Sequence, residues 1–236
     1  MSSWAQKNIQ SAASPMMEEF IYFHDFINGF LVFILLFVVF IIYELCKNDI
    51  SATRIAERNR LELIWTLLPV LVILIIGIPQ TKLLYQIDDH QDAGLVVKVV
   101  GAQWYWEYET FVENNVNRSI NVSQNLVYRQ VKDDYLGAVR QFEVDDYLVL
   151  PVNVKIWFLV TRRDVIHSWA VPSVGIKVDA VPGRLNRARA TWRQTGIFFG
   201  QCSEICGINH SHIPIGIAVV SVSDYFKYAL GKQDVN

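Results

Sequence analysis

Residues 26–43 read FINGFLVFILLFVVFIIY, and they decide the fold of the first third of the chain. No charged residue interrupts the run. At about 1.5 Å per residue its helix is roughly 27 Å long, close to the hydrocarbon thickness of a bilayer. A second uncharged run, LIWTLLPVLVILIIGIPQT, fills residues 63–81. It contains Pro69 and Pro79, which a membrane helix tolerates better than a helix in water. Two buried core helices are the alternative. Helices of soluble proteins average about 11–12 residues, however, and are seldom apolar all round. The two runs predict a transmembrane helical hairpin over residues 20–86, with helices at about 20–46 and 62–86.

The flanks set its orientation. The loop at 44–62 carries Lys47, Arg54, Arg58 and Arg60, while the N-terminal flank has Lys7 against Glu18, Glu19 and Asp25. Lysine and arginine in short loops stay on the cytoplasmic side, or its equivalent, the mitochondrial matrix. Both termini and the large C-terminal part are then expected on the opposite side. Trp65 and Tyr85 stand near the ends of the second run, where aromatic anchors belong. Residues 1–15 are polar and do not read as a cleavable signal.

Beyond a polar linker at 86–94 the pattern changes. VVKVV at 96–100, YLVLPVNVKIWFLV at 147–160 and IPIGIAVVSV at 213–222 are β-branched and partly alternating. Pro182, Gly183, Gly196 and Gly207 punctuate the region as turns. Short strands with such punctuation predict a β-sandwich or barrel. Residues 107–146 are expected to hold a strand pair and a long loop, and residues 224–230 a short closing helix. A net charge of −2 gives no basic surface for nucleic acid. Of three cysteines, Cys46 stands alone while Cys202 and Cys206 form a close pair, which is no disulfide framework.

That pair opens the segment CSEICGINH at 202–210. Two thiols, the Glu204 carboxylate and the His210 imidazole fall within it, and His167 lies on an earlier β-rich stretch. Thiolate with imidazole suits copper, zinc or an iron–sulfur cluster. A structural zinc site usually draws on a second ligand pair elsewhere. One histidine from an early strand and the rest from a late loop favours copper, without excluding zinc. Buried cysteines can also serve as small hydrophobes.

Several segments resemble subunit II of cytochrome c oxidase, in its mitochondrial form. They are QWYW at 103–106, VIHSWAVPS at 165–173, DAVPGRLN at 179–186 and GQCSEIC at 200–206, with SPMMEE at 14–19, FHD at 23–25 and ELIW at 62–65. The resemblance runs from about residue 14 to 220 and weakens over 107–142. It implies a two-helix transmembrane hairpin followed by an all-β cupredoxin-like sandwich domain: residues 1–19 in the intermembrane space, the hairpin at 20–86 and the copper domain at 87–236. It also implies the inner mitochondrial membrane, with inner-membrane lipid and subunits I and III as neighbours.

In that family two copper ions are bridged by thiolates. The resemblance assigns Cys202 and Cys206 as bridges, His167 and His210 as terminal ligands, and the Glu204 carbonyl as a further copper ligand. The Glu204 side chain would reach a magnesium ion at the subunit I interface. The family's axial methionine falls on Ile213, which cannot ligate. Either the centre is altered, with His212 as a candidate substitute, or an AUA codon there is read as Met; all three methionines precede residue 18. Trp104 matches the electron-entry residue, and Glu109, Asp145 and Asp164 are candidate acids for docking cytochrome c. The family usually has a second acid before the position of Asp164, where this chain has Arg162 and Arg163. Glu62 matches the mouth of a proton path into subunit I, and also suits the N-terminus of a helix. A copper-delivery or zinc-binding membrane protein would need neither QWYW nor the 179–186 segment.

Overall fold

The computed structural model describes residues 6–49, 59–88, 93–112, 126–128 and 140–233. Two long helices lead, α1 at Pro15–Lys47 and α2 at Asn59–Ile87. Both outrun the uncharged segments that predicted them. Ser14 caps α1 by accepting the Met17 N–H on its Oγ at 3.0 Å, and Pro15 then occupies a first-turn position that needs no N–H partner. Pro69 and Pro79 lie within α2 without ending it. The most apolar window of each helix is 0% buried. A core helix of a soluble protein would hide that surface, so the two helices form a membrane anchor.

Among the described residues ten strands follow: β1 Leu95–Ala102, β2 Tyr105–Val112, β3 Leu126–Tyr128, β4 Leu148–Pro151, β5 Ile156–Arg162, β6 His167–Val171, β7 Ile176–Ala180, β8 Asn186–Ala190, β9 Gly196–Cys202 and β10 Pro214–Val220. A closing helix, α3, covers Val222–Gln233. The strands make two five-stranded sheets, ordered β3-β2-β1-β5-β8 and β4-β10-β9-β6-β7. Alternation explains the core. Val97 and Val99 of β1, Ile156, Phe158 and Val160 of β5, and Leu148 and Leu150 of β4 point inward and are buried. Phe158 stacks on Trp169 at 4.7 Å and meets Trp192 edge-on at 5.9 Å.

The stretch at 147–160, which reads as one alternating run, is two strands in different sheets. Pro151 removes a ladder donor, and Asn153 takes a left-handed backbone conformation at φ 59°, which turns the chain across the sandwich. The strand pair expected in 107–146 corresponds to β2 and β3; residues 113–125 and 129–139 lie outside the described residues. Residues 6–18 group with the β-domain. Ala13 donates its N–H to Ser173 O at 2.7 Å and accepts that of Arg193 at 2.9 Å, while Ser14 Oγ donates to Val174 O at 2.8 Å.

Topology brings three segments to one end. β9 runs antiparallel to both β6 and β10, so the end of β9 adjoins their starts. β1 and β5 are parallel, and the β1–β2 turn sits where both finish.

Candidate metal centre

His167 opens β6 and Cys202 closes β9 beside it, with the Ser203 N–H bonded to Ser168 O at 3.0 Å. The chain then loops through Cys206 and His210 before β10. Cys202 Sγ lies 3.9 Å from His167 Nδ1 and 3.9 Å from Cys206 Sγ. Cys206 Sγ is 3.5 Å from His210 Nδ1. The four donors thus form a row, His167–Cys202–Cys206–His210. Among the described residues, His167, Cys202 and Cys206 form a mutually close group that can hold a metal ion, with all ligand atoms within 4.8 Å of one another. His210 joins it through Cys206.

Asp164 fixes the His167 ring. Its Oδ1 lies 2.8 Å from His167 Nε2, so the proton sits on Nε2 and Nδ1 is left to face Cys202. The same carboxylate accepts the N–H of Gln103 at 2.6 Å and of Val165 at 2.8 Å. Burial opposes its charge, but these bonds and the His167 ring hold the Asp164 carboxyl below the usual carboxylate range. Burial likewise opposes charge on His167, yet Cys202 and Asp164 leave its pKa raised.

The two thiols differ. Burial pushes Cys202 up, but His167 and backbone hydrogen bonds at Glu204 and Ser168 outweigh it and bring it down to about 6. Cys206 rises to about 12 through burial and the charge on Cys202. One thiol ionises readily, and the second gives up its proton when a cation takes its place. Soft, ionisable sulfur flanked by imidazole nitrogen fits copper.

The remaining predicted residues fall in several places. The Glu204 carbonyl is 3.3 Å from Cys202 Sγ. Ile213 is buried and accepts the Cys202 N–H on its carbonyl at 3.2 Å. His212 is exposed and bonded to Ser211 Oγ at 2.9 Å, so it is not brought to the sulfurs. Trp104, half-buried, lies against the metal loop: a Cβ on Gly207 would stand 3.2 Å from its Cζ2. Glu109 pairs with Lys98 at 3.0 Å. Asp145 is exposed and accepts the Asp146 N–H at 3.1 Å. Glu62 lies in the first turn of α2, exposed.

Sequence reasoning missed two supports. Gln103 Nε2 donates to Cys206 O at 2.8 Å, tying the β1–β2 turn to the loop. A Cβ on Gly101 would lie 2.9 Å from Trp106 and 3.1 Å from the His167 ring, so only glycine leaves the imidazole its room. A glycine inside a β-branched run is the signal for such an approach.

An apolar two-helix anchor followed by a β-sandwich with a Cys-His loop at one end defines a membrane-tethered metal-binding domain of cupredoxin type. The family model for the periplasmic domain of cytochrome c oxidase subunit II matches residues 95–220, and that for its transmembrane domain matches residues 2–83. Cytochrome c oxidase subunit 2 of Choristoneura rosaceana is 40% identical over 228 residues, 97% of this chain and 98% of that protein. The Drosophila lowei protein of the same name is 41% identical, covering 97% of each. The periplasmic domain of subunit II of cytochrome oxidase from Bradyrhizobium japonicum superposes with a TM-score of 0.53 at 36% identity, over 61% of this chain and 96% of that domain. A subunit II domain solved as a mixed disulfide with a thioredoxin-like protein gives 0.51 at 35%, over 62% of this chain and 95% of that one. The chain belongs to the cytochrome c oxidase subunit II family.

Proposed function

We propose that this chain is the electron-entry subunit of a mitochondrial inner-membrane cytochrome c oxidase. It takes single electrons from cytochrome c and passes them to heme in subunit I, where oxygen is reduced to water and protons are pumped. The row of donors carries the reading. Ligands at about 2.0–2.3 Å from one tetrahedral ion lie within roughly 4 Å of one another. His210 stands outside the mutual 4.8 Å group of the other three. Two thiols in the middle with a histidine at each end suit two metal ions sharing both sulfurs. When bound, a copper pair supplies a one-electron carrier whose charge is spread over both ions.

The chain's own residues hold and orient. His167 Nδ1, His210 Nδ1, the Cys202 and Cys206 thiolates and the Glu204 carbonyl would hold the copper pair, the two sulfurs between the histidines. The Glu204 side chain would hold magnesium at the interface with subunit I. Asp164 keeps the His167 proton away from the ligand face. Trp104, packed on Gly207 next to Cys206, is the entry point for the electron. Glu109, Asp145 and Asp164 are the acids available to cytochrome c, and Glu62 marks the proton entrance. Subunit III and inner-membrane lipid surround the anchor at 20–86, with residues 1–19 and the copper domain at 87–236 in the intermembrane space. Ile213 is either a non-ligating neighbour that shifts the potential or a codon read as Met, and peptide mass spectrometry across 207–219 separates the two.

The sulfurs at 3.9 Å are unbonded, since a disulfide is about 2.05 Å long. In an oxidising compartment the pair must be reduced before it takes copper, and a related subunit II domain forms a mixed disulfide with a thioredoxin-like protein. The test is copper content and electron paramagnetic resonance of the oxidase purified from its membranes. Hyperfine structure from two equivalent copper nuclei, lost in Cys206→Ser, is expected; zinc, or a single-copper spectrum, refutes the reading.

A further inference from the structure

Trp104 is held by its neighbours rather than by its own polar atom. Its indole N–H is buried and, among the described residues, meets no hydrogen-bond acceptor. A buried tryptophan N–H usually finds a partner, so the position of this ring is set from outside it. The floor under the ring is Gly207. A Cβ there would stand 3.2 Å from both Cζ2 and Nε1 of Trp104 and 3.1 Å from Nε2 of Gln103. Gly207 also takes a φ of 126°, which residues with a side chain rarely adopt. Bare backbone next to Cys206 therefore meets the indole. Gln103, the residue before Trp104, latches the β1–β2 turn to that floor. Its side-chain Nε2 donates to Cys206 O at 2.8 Å, and its backbone N–H donates to Asp164 Oδ2 at 2.6 Å. Asp164 in turn holds the His167 ring at 2.8 Å. Any residue but proline can supply the backbone bond. Only the bond to Cys206 O depends on the glutamine side chain.

We propose that Gln103 is a positioning residue for electron entry: its bond to Cys206 O holds the Trp104 indole down on Gly207 and so sets the gap between the indole and the metal loop. The proposal rests on the electron-entry reading and adds what fixes its geometry. In that step the donor loses one electron and the oxidase gains one, with no bond made or broken. Its rate falls steeply as the gap widens, because electronic overlap decays through space. Without the Gln103 bond the turn keeps only its tie to Asp164, and the indole has no bond of its own to draw it back to the loop. The cost of a small displacement is then paid in rate rather than in binding of the donor or of the metal.

The test uses the whole oxidase and a cytochrome c carrying a ruthenium photoreductant, so that a flash starts transfer inside the preformed complex. Gln103→Met keeps the length of the side chain and removes the donor. Gln103→Glu keeps its shape and sets a carboxylate against the Cys206 carbonyl. At saturating cytochrome c the first-order rate constant should fall about tenfold in Gln103→Met and further in Gln103→Glu. The copper electron paramagnetic resonance signal of both variants, and the Kd of Gln103→Met for cytochrome c, should match wild type. A residue that acted by attracting a basic donor would give the opposite order, since Gln103→Glu adds negative charge. A first-order rate constant in Gln103→Met equal to wild type, or a loss confined to Kd, overturns the proposal and leaves the electron-entry reading standing. An altered copper signal in Gln103→Met also overturns it, because the effect then lies on the ligands and not on the indole. If the wild-type oxidase lacks the two-copper signal, or the flash does not reduce it, the electron-entry reading falls and the positioning role falls with it.

Discussion

Gly29 in α1 has no side chain or other segment within 4 Å of where a Cβ would stand, whereas a Cβ on Gly200 in β9 would run into the carbonyl oxygen of Ala170. The two glycines stand for two regions. The anchor is apolar all round with its central windows unburied, so what packs against it is lipid or another molecule. The β-domain is closed on itself. Val97, Val99, Phe158 and Trp169 are wholly buried, and the metal loop leans on that packing through His167 and Trp106. In the anchor the information is average composition. In the domain it sits in single residues with single neighbours.

Substitutions can break or sharpen this contrast. The largest effect in the anchor should come from charge. Leu35 lies near the middle of the first uncharged run, and Leu35→Asp should cost about 3–4 kcal/mol of insertion free energy. A glycosylation-mapping assay of the first helix reads it, and full insertion would mean that this segment does not meet lipid. In the domain, Gly200→Ala should cost about 3 kcal/mol, because the obstacle is backbone and cannot swing away. It is read as loss of assembled, copper-loaded oxidase. Gly29→Ala should stay within about 1 kcal/mol. If Gly29→Ala proves as damaging as Gly200→Ala, that face of α1 is packed tightly on another subunit.

The same contrast explains what could be read from sequence. Both membrane helices were legible because an uncharged run of that length has one stable environment; only their ends ran beyond it, α1 starting at the Ser14 cap and α2 at Asn59. The cysteine and histidine ligands were legible because their chemistry is rare in so short a segment. The sandwich was legible as a class but not strand by strand. Residues 147–160 alternate as one strand would, and nothing local says that Pro151 and Asn153 send its halves to opposite sheets. Asp164 was read for its charge, yet its position next to His167 and the Gln103 N–H depends on strands far apart in sequence. Gly101 and Gln103 act through contacts that no local pattern encodes.

Smaller effects test the closed packing of the domain more finely. Trp169 Nε1 donates to the Tyr108 hydroxyl at 3.1 Å, with both side chains buried. Burial, only partly offset by that bond, holds the Tyr108 phenol well above its ordinary pKa, so it stays neutral. Tyr108→Phe keeps the ring and strands the indole N–H, at a cost of about 1–3 kcal/mol. Thermal inactivation of the oxidase should move down accordingly, and an unmoved midpoint would mean that water replaces the hydroxyl.

The smallest effect is at α3, whose cap is exposed where that of α1 is buried. Ser14, at 2% exposure, bonds both Met17 N–H and Val174 O. Ser221 accepts the Asp224 N–H at 3.2 Å and donates to its Oδ2 at 2.6 Å, in solvent. That Ser221 bond first, then Lys227, holds the Asp224 carboxyl below its ordinary value. A carboxylate depressed in the folded state adds stability that is complete above its unfolded pKa, about 3.9, and is lost as pH falls through the folded value. Ser221→Ala removes the larger cause and raises the folded value toward the unfolded one. The amides of α3 should therefore keep their hydrogen-exchange protection to lower pH in the wild type than in Ser221→Ala, while those of β9 and β10 do not distinguish the two. Equal acid limits for α3 in both proteins would mean that packing of Tyr225 and Ala229 on the domain, rather than the cap, holds this helix in place.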